Sequence, residues 1–171
     1  METKNTEHPP GMKAEPQKEH KWLQKLVGAW TYEGEAAMEA GKPVEKFKGV
    51  ESVRSIGGLW VVAEGKGEMP GGGEATMIMT LGFDAQKKRF VGTWLGSMMT
   101  HLWVYDGELD AAEKVLTLHS EGPDMAVEGK MLNYRDVIEF KSDDQRTLSS
   151  YMPGPDGTWQ KIMTANYRRK K

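Results

Sequence analysis

Two of the four histidines, His101 and His119, stand beside Trp103 and Leu118 in segments whose apolar and polar residues alternate. On a strand, such a histidine can face a cavity and serve there as a base or a ligand, because imidazole titrates near neutrality. Neither has a partner in a His-x-His or His-x-x-x-His pattern, so a metal site would need donors gathered from distant segments. His8 and His20 fall in the N-terminal region, where solvent exposure is the expectation. Arg54 and Arg135 lie in alternating segments as well. An arginine turned into an apolar interior must pair, and the carboxylate of a bound molecule would serve. Trp94, Trp103, Tyr105 and Tyr134 offer flat apolar surface, and Met77, Met79, Met98 and Met99 offer thioethers that repack around irregular shapes. The ligand-binding set read from the sequence is therefore Trp94, Trp103, Tyr105, His101, His119, Arg54, Arg135, Met77 and Met79. A methionine-rich core with no cavity accounts for the same methionines equally well.

Other chemistries lack their residues. The chain has no cysteine, which removes disulfides, thiolate metal sites and thiol nucleophiles. Gly-x-Ser-x-Gly is absent, and Gly96-Ser97 ends a strand instead of preceding a helix. Gly71-Gly72-Gly73 has no following helix whose dipole could hold a phosphate. Asp143-Asp144 falls in a turn, where solvation explains it. No catalytic residue, metal or cofactor is assigned. The 25 acidic and 23 basic residues leave a net charge of -2, so no broad field exists to hold nucleic acid or an anionic membrane. Arg168 to Lys171 reads as a solvated basic end.

The elements that would position these residues follow from periodicity. Residues 1–16 are charged and proline-bearing, without the apolar run of a secretory leader, and read as a disordered tail. Charges and glycines interrupt every apolar stretch before it reaches the roughly 18 residues needed to cross a bilayer. A soluble, cytoplasmic domain over 17–169 is the expectation. From Pro16 to Val27, Trp22, Leu23, Leu26 and Val27 form one helical stripe, which Gly28 can end. Beyond Gly28 the period becomes two. Strands are expected at Trp30 to Met38, Val44 to Ile56, Leu59 to Glu68, Ala75 to Phe83, Arg89 to Ser97, Thr100 to Tyr105, Val115 to Glu121, Asn133 to Lys141, Arg146 to Tyr151 and Trp159 to Tyr167. Turn formers separate them, including Glu39 to Pro43, Gly57-Gly58 and Pro153 to Gly157. Closing the sheet leaves no unpaired edge. The expected fold is all-β: a single antiparallel, roughly ten-stranded lipocalin-like barrel, with one short N-terminal helix closing an end.

Several stretches together carry a resemblance: Leu26-Val27-Gly28-Ala29-Trp30, Gly57-Gly58-Leu59-Trp60, Leu81-Gly82-Phe83-Asp84, Arg89 to Ser97, and Asp156-Gly157-Thr158-Trp159 through Tyr167-Arg168. In order and spacing, over roughly residues 20 to 169, they resemble the bacterial family of domain of unknown function 1579, whose build is similar to calycin barrels. The resemblance implies that the Trp30 indole packs against a late basic residue, Arg168 or Arg169, to close the fold. Leu95-Gly96 stands where it also implies an aspartate.

Three functional readings follow. In the first, the barrel binds a small, largely apolar molecule, acidic if an arginine grips it, held by Trp94 and Trp103 beneath the Met69 to Gly73 loop. In the second, it is an enzyme of isomerase, cyclase or haem-dependent type that uses His101 or His119. In the third, Trp60 and Val62, on a strand apolar on both faces, form a homodimer surface.

Overall fold

The computed structural model describes residues 14–37 and 42–171. The expectations for most of the tail, for His8, for Met38 and for the start of the Glu39 turn lie outside the described residues. Within them the chain forms α1 (Lys18–Gln24) followed by β1 (Gly28–Ala36), β2 (Glu45–Ile56), β3 (Trp60–Glu68), β4 (Glu74–Asp84) and β5 (Arg89–Gly96). Then come β6 (Trp103–Leu109), β7 (Val115–Pro123), β8 (Met131–Ser142), β9 (Gln145–Pro153) and β10 (Trp159–Arg169). Each strand pairs antiparallel with the next, and β10 returns to β1 in a register running from Trp30 opposite Arg169 to Ala36 opposite Met163. The result is a closed, ten-stranded antiparallel barrel with one short helix.

Alternation fixes which way each strand faces. In β1, Trp30, Tyr32 and Ala36 are buried while Thr31, Glu33 and Glu35 are exposed, so a one-residue slip would turn the whole apolar set to solvent. Between β2 and β3, Gly57 and Gly58 have φ of 62° and 72°, the left-handed backbone that glycine adopts without steric cost. β6 departs from expectation. It begins at Trp103, because the chain after β5 is held in a turn by Ser97 N–H donating to the Thr76 carbonyl at 2.9 Å and Met99 N–H to the Gly96 carbonyl at 3.3 Å. It continues through Asp106 to Leu109, which the sequence suggests is a connection. The outward Asp106 and Glu108 are paired with Arg89 at 2.8 and 2.9 Å, so charge that looks like a loop belongs to the outer face of a strand.

The two ends of the barrel differ. At one, α1 places Trp22 and Leu23 in the core, and Leu26 joins them from the turn that follows, since the helix ends at Gln24 and not at the expected Val27. The Trp22 ring meets Phe140 and Phe90 edge-on, with centroids 5.4 and 6.2 Å apart, and its Nε1 donates to the Glu113 carbonyl at 2.7 Å. Beneath it Phe90, Leu116, Leu118 and Ile138 are fully buried, each worth about 1.5–3 kcal/mol of apolar burial. His20, expected in solvent, is buried here. Its Nδ1 accepts from the Gln17 backbone N–H at 2.9 Å, so Nε2 carries the proton and donates to the Phe83 carbonyl at 3.0 Å. A histidine on a helix facing the barrel thus both caps that helix and ties it to β4.

The junction between α1 and β1 is closed by Arg169, one of the two residues the family resemblance implies. Its guanidinium lies 4.2 Å from the Trp30 ring centre, and Arg146 covers the same ring at 4.6 Å. Arg169 also donates to the carbonyls of Val27 at 2.7 Å, Lys25 at 2.9 Å and Asp143 at 3.0 Å. It therefore satisfies carbonyls of the segment that leads from α1 into β1 and ties them to the turn after β8.

Candidate functional site

At the end opposite α1 the interior is open. A cavity of about 440 Å3 runs down from the mouth, within the range of about 300–1,000 Å3 common for small-molecule sites. Its apolar lining comes from Phe47, Met77, Met79, Trp94, Met163 and Trp103, with Met69 and Pro70 of the β3–β4 connection and Met98, Met99 and Met125 near the rim. Glycines at inward positions make the wall thin. The Trp103 indole occupies the place a Cβ would take on Gly122, and the Tyr32 ring lies against Gly49 and Gly67 in the same way. Aromatic rings thus lie along the sheet instead of crossing the lumen. In β10 a bulge between Lys161 and Met163 brings both Ile162 and Met163 to the lining.

A polar patch interrupts this surface. On β8, Tyr134, Asp136, Ile138 and Phe140 share the inward face, and Asp136 sits deep in the barrel with part of its surface toward the cavity. Its carboxylate accepts from the Tyr105 hydroxyl on β6 and from Ser150 Oγ on β9, the latter at 2.6 Å. Desolvation pushes the Asp136 carboxyl up from its ordinary range, against the pull of the Ser150 and Tyr105 hydrogen bonds. Burial, reinforced by Asp136, pushes the Tyr105 hydroxyl well above its ordinary value. Lower down, Glu51 pairs with the buried Arg146, whose guanidinium lies 4.0 Å from the Tyr167 ring centre. The pair forms a neutral floor between the cavity and the packed core. The outer wall also carries an open depression of about 560 Å3 near Thr31, Lys48 and Arg168. Its lack of enclosure makes it a weaker candidate.

Of the residues singled out in the sequence, Trp94, Trp103, Tyr105, Met77 and Met79 meet at the cavity. Four others do not. Arg54 is exposed on the outer face of β2. Arg135 points outward and stacks on Trp159, 4.0 Å from its ring centre. His119 pairs on the outer face with Glu108 at 2.8 Å. His101 precedes β6 instead of lying within it, with Nε2 3.0 Å from the Glu121 carbonyl oxygen and its ring edge-on to Trp103. The cause is parity: Arg135 and His119 are each one residue away from an inward position, and one step along a strand reverses the face. Sequence reading missed Asp136, Ser150, Glu51 and Arg146. Asp136 had a signal, since it stands two residues after Tyr134. Glu51 and Arg146, 95 residues apart, had none. Among the described residues no three His, Asp or Glu side chains gather to hold a metal ion, and no helix is long and apolar enough to cross a membrane.

The model of the family described as protein of unknown function (DUF1579) matches residues 15–169. The chain belongs to this family. Among solved structures, this DUF1579 barrel is similar to Rv2717c from M. tuberculosis, with a TM-score of 0.60 at 14% identity over 92% of this chain and 100% of that one. At that identity the likeness is one of fold alone. A looser likeness, TM-score 0.48 at 9% identity over 86% of this chain and 96% of the other, joins it to a designed fluorescence-activating β-barrel. No curated protein sequence matches the chain.

Proposed function

We propose that this protein binds one small, largely apolar molecule inside its barrel. The observation that carries the reading is the contrast between the two ends: one sealed by α1 and a packed core, the other holding a cavity of about 440 Å3 walled by methionine and aromatic side chains. Barrel width grows with strand number, and about eight strands suffice for a filled interior, so ten leave space unless side chains cross the lumen. Here the rings lie along glycine positions and leave it open. Trp94, Trp103, Tyr105, Met77 and Met79 are the proposed contacts, with Met69 and Pro70 over the mouth. Arg54 and Arg135 drop out of the set, and with them the reason to expect an acidic ligand. An enzyme built on His101 or His119 loses support for the same reason, since neither lines the cavity. A cytoplasmic setting stays part of the proposal.

Gly65 lines the cavity, and a Cβ built on it meets nothing nearer than the Met77 methyl at 3.4 Å. Gly65→Leu should therefore fill the site without breaking the fold. Native mass spectrometry of the purified wild type should reveal a copurifying mass or, after stripping, uptake of an apolar dye that quenches Trp94 and Trp103. The leucine variant should lose that uptake by at least about tenfold while keeping its circular dichroism spectrum. Equal dye uptake by both proteins would place the dye elsewhere and defeat the reading.

A further inference from the structure

Every ionisable group on the cavity lining other than tyrosine is an acid: Glu45 and Glu68 toward the mouth, Glu51 at the floor and Asp136 on the wall. Among the described residues no lysine, arginine or histidine lines it. Glu51 is neutralised from below by Arg146. Asp136 has no such counterion. Its two oxygens accept from the neutral hydroxyls of Tyr105 and Ser150, and Arg135, the next residue back, faces the other way against Trp159. A carboxylate has about four acceptor sites, so two hydrogen bonds leave it unsaturated, and an unpaired charge inside an apolar lumen is costly. The lining holds a second unmet polar group, the buried Tyr32 hydroxyl, which has no hydrogen-bond partner. Two residues before Asp136 on the same face of β8, the Tyr134 ring meets that of Trp103 edge-on at 5.0 Å, and such rings attract cations.

We infer that the ligand is an apolar amine, whose protonated nitrogen meets the Asp136 carboxylate while its body lies among Met77, Met79, Trp94 and Trp103. Three independent features agree on this class. The charge of the cavity repels carboxylates and phosphates, the one carboxylate without a counterion accepts hydrogen bonds and donates none when ionised, and the surrounding surface is polarisable sulfur and aromatic ring. The glutamates at the mouth would also raise the local concentration of a cation before it enters.

The inference rests on the ligand-binding reading, and a matched series separates the two. Phenylbutylamine, phenylbutanol and phenylbutyrate share one apolar body and differ at the polar end. Titrated near neutral pH against the wild-type protein by calorimetry, with Trp fluorescence as a second readout, the amine should bind at least about tenfold more tightly than the alcohol, and the carboxylate most weakly, as expected for a charge-assisted hydrogen bond. Asp136→Asn should weaken the amine by at least about tenfold and remove its advantage over the alcohol. Should the carboxylate bind as well as the amine, or Asp136→Asn leave the preference intact, the amine assignment is overturned while binding stands. If none of the three binds and Gly65→Leu changes nothing, both readings fall. The wild-type ranking alone decides the matter if Asp136→Asn does not fold.

Discussion

Asp136 is where burial and hydrogen bonding pull in opposite directions. Desolvation in the barrel raises its pKa above the ordinary 3.8, while the Ser150 and Tyr105 hydroxyls partly oppose the rise. The folded protein therefore holds this proton more tightly than the unfolded chain does. The stability that follows is fully present below the unfolded-state pKa and is lost as pH rises through the raised one. Asp136→Asn removes the titrating group and keeps an acceptor for the hydroxyls. Urea denaturation at several pH values between about 4 and 8 should thus give a wild-type curve that declines with pH relative to that of the variant. Parallel curves would mean that the carboxylate is as well solvated in the barrel as in water. The Glu51 and Arg146 pair differs because each group carries the other's counterion. Arg146 is buried between the Trp30 and Tyr167 rings, so pairing is a condition for its presence there.

Helix, first strand and last strand are joined at one crossing, and its geometry depends on a residue with no side chain. Gly28 has φ of 136°, and a Cβ built on it would lie 2.6 Å from Arg169 Nη1. Gly28→Ala would strain the backbone and displace the guanidinium that satisfies the carbonyls of Lys25 and Val27. The expected loss is about 1–3 kcal/mol of unfolding free energy, read by chemical denaturation. Adding Arg169→Ala should cost less in that background than in the wild type, because the two changes damage the same contact. Fully additive losses would separate Gly28 from the Arg169 contact. Elsewhere, Trp60 and Val62 do lie on the outer face of β3 as the alternation suggests, but the Trp60 ring covers Gly82 on β4 and spends part of its apolar surface within the chain.

Across the whole barrel, packing is graded from a sealed end to an open one, and opening motions should follow that gradient. Amides of a densely packed region exchange only through costly unfolding, whereas those around a cavity with few apolar contacts exchange through local opening. Hydrogen exchange followed by mass spectrometry should find the slowest peptides around Phe90, Leu116, Leu118 and Ile138, and faster ones at the cavity end of β3, β4 and β10. A bound ligand should slow the second group far more than the first, since it fills the space that permits the opening. Uniform protection along each strand, changed equally everywhere by ligand, would contradict the two-ended description.

The fold was legible in the chain because it is a local property repeated ten times. A two-residue period with glycine, proline and aspartate corners allows little except strands, and strands without helices to cover them close on themselves. Trp22 and Leu23 announced the helix and its buried stripe in the same way, while Leu26 is buried from the turn beyond it. The β6 boundary was missed because Asp106, Gly107 and Glu108 have the composition of a turn, and only pairing with β5 and β7 on either side makes them strand. Half the candidate site was legible for a related reason: Trp94, Trp103, Tyr105, Met77 and Met79 declare their apolar character wherever they stand. The polar half was decided by tertiary structure. Whether Arg135 or Asp136 faces inward depends on one step of register, and the charge of the cavity reverses with it. The Glu51 and Arg146 pair exists only because the sheet closes through β1 and β10, which brings β2 and β9 within reach of each other.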